Sequence, residues 1–143
     1  MCVQYLLDHN IEHNPKIVYQ DVNRAISFTH KSGELHEAII SDCHRYIAPN
    51  KRLEELLLHM KSFNRKLFIL TNNSFKYVDA GMNHLIGSHW REHFDLVMCD
   101  SRKPHFFKEN DFTPFREIHL SNKTLLPSAA RELTKGKVYS QVF

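Results

Sequence analysis

Lys66-Leu67-Phe68-Ile69-Leu70-Thr71-Asn72-Asn73-Ser74 is the stretch on which the reading of this chain turns. Its four consecutive apolar residues after a basic one are too few for a helix and the right length for a strand buried on both faces. Thr71 to Ser74 then bring hydroxyls and amides to the strand's end, and an apolar pattern of helical period resumes at Phe75, Val78, Met82, Leu85 and Ile86, stopping near Gly87. His89 to His93 read as a short turn, and Asp95-Leu96-Val97-Met98-Cys99-Asp100 as a second short strand. Strand, helix and strand in that order form a right-handed βαβ unit with parallel strands. The carboxyl ends of parallel neighbours share one edge of the sheet, so the loops starting at Thr71 and Asp100 face each other where ligands bind. A strand that runs through small polar residues into a helix N-terminus suits an anion, because unpaired backbone N–H groups and the helix dipole point at it. Thr71 and Asn72 are then one half of a phosphate site, and Lys103, in the next strand's loop, is the other. The same residues also read as a helix cap beside a solvated lysine, and spacing alone leaves both readings open.

Upstream the pattern is helical. Residues 2–9 carry a short apolar helix that Asn14-Pro15 breaks, and Asp21 is placed to cap a helix over Val22, Ala25 and Ile26 that ends near Gly33. Leu35, Ile39, Ile40, Cys43 and Ile47 repeat at helical spacing up to Pro49; Leu53, Leu56, Leu57, Met60 and Phe63 form a stripe expected to pack on the sheet. Downstream, Pro104, Phe106, Phe107, Phe112, Pro114 and Phe115 make an aromatic loop, and residues 115–120 and 124–126 a possible hairpin. Val138 and Tyr139 follow a turn around Gly136 and lead toward a third strand that the sequence is expected to lack. The fold class is α/β, a partial parallel-sheet core preceded by helices.

With 143 residues, 42% hydrophobic and 24% charged, the chain has an ordinary globular composition. Its net charge of +3 is scattered and forms no basic stripe, which excludes nucleic acid as an expected partner. Three widely spaced cysteines fit neither a disulfide framework nor the close spacing of a zinc site. Without a signal-peptide pattern or a run of transmembrane length, the expected location is cytoplasmic.

Several ordered motifs carry a resemblance over nearly the whole chain. They are Tyr19-Gln20-Asp21-Val22, Ala25-Ile26, His30, Gly33, Arg45-Tyr46-Ile47, Leu70-Thr71-Asn72, Lys76-Tyr77-Val78-Asp79-x-Gly81-Met82, Trp90-Arg91-x-x-Phe94-Asp95, Lys103-Pro104-x-Phe106-Phe107 and Gly136-Lys137-Val138-Tyr139. In these the chain resembles the haloacid-dehalogenase-type 5'-nucleotidase family. The resemblance implies hydrolysis of nucleoside 5'-monophosphates through an aspartyl-phosphate, with Thr71 and Asn72 on the transferring phosphoryl group and Lys103 paired to the phosphate and the nucleophile. It also implies Mg²⁺, held by the nucleophilic Asp of an Asp-x-Asp-x-Thr loop and by a downstream aspartate pair. No Asp-x-Asp occurs in this sequence. Glu109-x-Asp111-x-Thr113 is the nearest imitation and follows an aromatic loop instead of a buried strand. The expectation is therefore a middle fragment, residues 1–49 the end of a cap and 50–143 a partial core, inactive alone and binding no Mg²⁺ through ligands of its own. A non-catalytic module that binds a phosphate ligand, a second copy or a full-length relative is the alternative.

The substrate-facing positions implied by the family read here Asn23, Ser27, His30 and His36, so only His30 matches, and Asn73 stands where a small Ser is usual. His30 and Asn73 are the expected substrate contacts, although a histidine packed between helices explains His30 equally well. His89-x-x-x-His93 has metal-ligand spacing but shows no third ligand and reads as a solvated turn. Cys99, ending an apolar strand, reads as a small buried hydrophobe.

Overall fold

In the computed structural model, residues 2–108 and 113–141 are described. Glu109, Asp111 and Phe112 lie outside them. The chain divides into two compact units, Met1–Ser41 and Asp42–Phe143.

The first unit is helical: α1 (Cys2–Asp8), α2 (Pro15–Ser32) and α3 (Glu34–Ser41). Asp21 lies inside α2 and does not cap it. Asn14 is the N-cap, its side chain accepting from the Lys16 amide at 3.0 Å, with Pro15 at the first helical position. A proline there loses no hydrogen bond, since the first helical amides have no intrahelical partner, so the Asn14-Pro15 pair starts a helix instead of breaking one. Gly33 ends α2 at φ 81°, a left-handed conformation that a side chain would disfavour.

The second unit opens with α4 (Cys43–Tyr46) and α5 (Leu53–Ser62). The helical run expected from Leu35 to Ile47 is interrupted at Asp42, whose carboxylate accepts from the Arg45 amide at 3.2 Å and starts α4 as a separate turn. Next come β1 (Phe68–Leu70), α6 (Phe75–Leu85), a 3-10 turn (Trp90–His93) and β2 (Leu96–Cys99), then β3 (Arg116–His119), β4 (Thr124–Ala129) and β5 (Val138–Ser140). The fold class is α/β. One five-stranded sheet has the order β1-β2-β5-β3-β4; β1 and β2 are parallel, with Ile69 opposite Val97, and β3 and β4 form the hairpin.

Two expectations need correction. A third parallel strand is present: β5 pairs with β2, Met98 opposite Tyr139, and joins the hairpin through antiparallel pairing with β3, so the sheet is mixed. Nor is β1 buried on both faces. Leu67 is buried and Ile69 packs on the core, while Phe68, on the opposite face of the strand, is 65% exposed; β1 is also the edge strand of the sheet. The core gathers Leu57 of α5, Phe75 of α6, Trp90, Phe94, Val97 of β2, Ile118 of β3 and Val138 of β5. Only part of the α5 stripe reaches it, since Leu56 and Phe63 are exposed.

Candidate functional site

The two loops at the carboxyl ends of β1 and β2 are laced together. The Thr71 amide donates to the Met98 carbonyl at 3.0 Å, the Ser101 amide to the Thr71 carbonyl at 2.9 Å and the Asp100 amide to the Asn73 carbonyl at 3.0 Å. Asp100 and Arg102 take left-handed conformations, φ 48° and 56°, which bend the second loop back over the first at a cost of about 1–3 kcal/mol each.

Asn72 holds the bend. Its Oδ1 accepts from the Lys103 amide at 2.7 Å and from the Ser101 hydroxyl at 3.1 Å, and its Nδ2 donates to the Lys103 carbonyl at 2.9 Å. Clamped at both backbone groups, Lys103 directs its side chain across to β1, where Nζ donates to the Leu70 carbonyl at 2.7 Å. An ammonium has three donors, so that contact uses one. The Thr71 hydroxyl accepts from the Asn73 amide at 3.1 Å, which leaves its own proton to donate. Ser74 caps α6, accepting from the Tyr77 amide, so the helix N-terminus adds its partial positive charge to that of Lys103. An open depression of about 270 Å³ lies at the same strand ends, lined by Ser74, Phe75, Lys76, Asp100, Lys123 and Ser140 among others. Burial pushes the Asp100 carboxyl above its ordinary range, against a hydrogen bond from the Ser140 hydroxyl at 3.2 Å.

Thr71, Asn72, Asn73 and Lys103 are thus brought into one corner. His30 belongs to the first unit, on the last turn of α2, exposed and 5.9 Å between ring centroids from His36. Sequence reasoning had no role for Ser101, which closes the clamp, nor for Asp79. The Asp79 carboxylate, 13% exposed, accepts from Trp90 Nε1 at 3.1 Å, Arg91 at 3.2 Å, Asn83 at 3.0 Å and Lys123 at 2.7 Å. It fastens α6 to the 3-10 turn and to the β3–β4 turn. His93 is no part of a solvated turn, being only 5% exposed, and the third partner missing from the histidine pair is Glu54, on the first turn of α5.

A family model described as the 5' nucleotidase family matches residues 1–142. The chain belongs to that family. It is 40% identical over 124 residues to a 5'-nucleotidase domain-containing protein of Dictyostelium discoideum, covering 82% of this chain and 21% of that protein. It is 34% identical over 139 residues to 5'-nucleotidase domain-containing protein 2 of Homo sapiens, covering 97% of this chain and 26% of that protein. The rat protein of the same name is also 34% identical over 139 residues, of which the chain covers 25%. The chain therefore spans about a quarter of the length of these curated relatives. Mg²⁺, the cofactor that the family resemblance implies, does not fit the corner of this family member as it stands. A hard cation needs several oxygen ligands, usually with carboxylates among them. The corner instead presents an ammonium, amides and a hydroxyl beside the single carboxyl of Asp100, and among the described residues the only group of metal-ligating side chains is Glu54, His89 and His93. No helix among the described residues is long and apolar enough to cross a membrane.

Proposed function

We propose that residues 50–143 carry the phosphate-binding corner of a haloacid-dehalogenase-type core, with residues 1–49 the end of its helical cap, in a cytosolic phosphomonoester hydrolase acting on nucleoside 5'-monophosphates. The observation that carries this reading is the Asn72 clamp, which holds the Lys103 ammonium at the end of β1 beside the N-terminus of α6. Charge fixed before the substrate arrives needs no reorganisation when negative charge builds on the phosphoryl oxygens, which is where such a site lowers the barrier. In this reading Lys103 and the Thr71 hydroxyl contact the phosphate, Asn72 positions Lys103, and Asn73 faces the nucleoside. In such an enzyme Mg²⁺ would neutralise the phosphoryl oxygens; this sequence has no Asp-x-Asp to supply the nucleophile, and the corner lacks the carboxylates to hold the ion. The 143-residue chain accordingly binds phosphate without hydrolysing it.

Titration calorimetry with inorganic phosphate and with AMP, on the wild-type chain and Lys103→Ala, tests the corner, and phosphate release from AMP with Mg²⁺ tests the inactivity. Binding that weakens at least about tenfold in the variant, with no release, is the expected result. Equal binding by both proteins would overturn the corner; Mg²⁺-dependent release abolished by Lys103→Ala would overturn the inactivity. The free edge of β1, with Phe68 65% exposed, favours a second reading, a non-catalytic module that adds a strand of another copy or of a full-length relative. A chain that sediments only as a monomer, alone and with such a relative, would exclude it.

A further inference from the structure

We infer that Glu54, His89 and His93 form a binding site for a divalent transition metal of the zinc class, separate from the phosphate corner and independent of the function proposed for it. One ligand atom from each of the three residues lies within 4.8 Å of the others. Glu54 Oε1 is 2.8 Å from His89 Nε2 and 3.3 Å from His93 Nε2. Three ligands at the usual zinc distances of about 2.0–2.1 Å stand roughly 3.3 Å apart around a tetrahedral ion. The Glu54–His93 pair already has that spacing. The Glu54–His89 pair must open by about half an ångström, and both side chains are more than a third exposed, which leaves them room to move.

The observation that singles out a ligand is His93. Its side chain is 6% exposed, yet neither ring nitrogen makes a hydrogen bond; Nε2 lies near Glu54 Oε1 without hydrogen-bond geometry. A buried imidazole with neither nitrogen in a hydrogen bond is uncommon in folded proteins; Nδ1 has no partner and Nε2 only the 3.3 Å approach to Glu54, which a metal ion held between the two would turn into a ligand pair.

Two imidazoles and one carboxylate are a ligand set that leaves a tetrahedral zinc ion one further position. Nitrogen ligands select against Mg²⁺ and Ca²⁺. The site also has a place in the fold. Glu54 stands on α5, three residues before the core residue Leu57, while His89 precedes and His93 ends the turn that feeds β2. A bound ion would staple that helix to the amino-terminal side of β2, with the phosphate corner at the carboxyl side, roughly 13 Å away along the strand.

The test is calorimetric titration of the metal-free 143-residue chain with Zn²⁺ in buffer containing excess Mg²⁺, together with the visible spectrum of the Co²⁺ form. We expect one equivalent to bind and the melting temperature to rise with Zn²⁺ concentration. His89→Ala removes an exposed ligand, so it should fold as wild type does and lose at least about tenfold in affinity; Glu54→Gln should do the same, and both should lose the spectrum of a tetrahedral cobalt ion. Zn²⁺ binding of equal strength in wild type and both variants would assign the metal to other histidines or to Cys2 and Cys43, and overturn the inference, as would no binding at all.

Discussion

Removing the Asp79 carboxylate is the sharpest test of what holds the second unit together. It accepts from Trp90, Arg91 and Asn83 on one oxygen and from Lys123 on the other. In Asp79→Ala the indole N–H of Trp90, fully buried, is left without an acceptor, at a cost of about 1–3 kcal/mol. Arg91 and Lys123 are 29% and 40% exposed, so water recovers part of their loss and each adds only about 0.5–1 kcal/mol. The expected destabilisation is about 2–5 kcal/mol, and Asp79→Asn, which keeps an acceptor for the indole, should cost about half as much. Urea unfolding followed by fluorescence reads it directly, because Trp90 is the single tryptophan. The effect also has a pH signature. Burial pushes the Asp79 carboxyl up, but hydrogen bonds from Lys123 and Trp90 and the charges of Lys123 and Arg91 outweigh it and leave the group below its ordinary value of 3.8. A carboxyl lowered in the fold contributes stability above the unfolded value and loses it as pH falls through the folded one. The gap between wild type and Asp79→Ala should be full at neutral pH and narrow as pH falls through the folded value, toward the part that a neutral acceptor still supplies to the indole. A loss under about 0.5 kcal/mol, the ordinary range for a surface substitution, or an Asn variant as damaged as the Ala variant, would refute this account.

Asn72→Ala should weaken inorganic phosphate binding measured by calorimetry while leaving the Lys103 charge in place; unchanged affinity would mean that the clamp does not position it. Asp100 is raised by burial, so its ionised form opposes folding and stability should rise as pH falls through its folded value; Asp100→Asn should therefore melt higher than wild type at pH 7, and a lower melting temperature would reject the sign. The Cys99 thiol is fully buried and its pKa is pushed up to about 12, so iodoacetamide should label exposed Cys2 first and Cys99 only in denaturant, as peptide mass mapping would show. Phe68→Lys places a charge on the exposed edge strand and should lower any self-association seen by analytical ultracentrifugation; an unaltered sedimentation profile would clear that edge of blame.

The βαβ unit was legible because its signals are local: a short apolar run, a polar strand end and an apolar pattern of helical period, all within consecutive residues. The loops that face each other at Thr71 and Asp100 followed from topology alone. What was hidden depends on distant partners. Val138-Tyr139-Ser140 is too short to announce a strand, and becomes one because β2 and β3 offer it hydrogen bonds on both sides. Glu54 looked like one more charge on an amphipathic helix, 35 residues from His89. Asn14-Pro15 was ambiguous by nature, since the same dipeptide ends one helix and starts another. For Asn72 the residue was legible and its bonds were not: the side chain that reads as a phosphate donor uses its oxygen and one N–H on the neighbouring loop.

The position of β5 has a consequence for how the molecule is made. It is the last of the five strands in the chain and the middle one in the sheet, with Val138, Tyr139 and Ser140 all buried. As the polypeptide leaves the ribosome, the β1–α6–β2 segment and the β3–β4 hairpin can each form early, but each waits with one raw edge until the final strand slides between them. Within this stretch translation thus delivers the joining strand after both of the pieces it joins, and until it arrives each keeps an unpaired edge that another chain could cover.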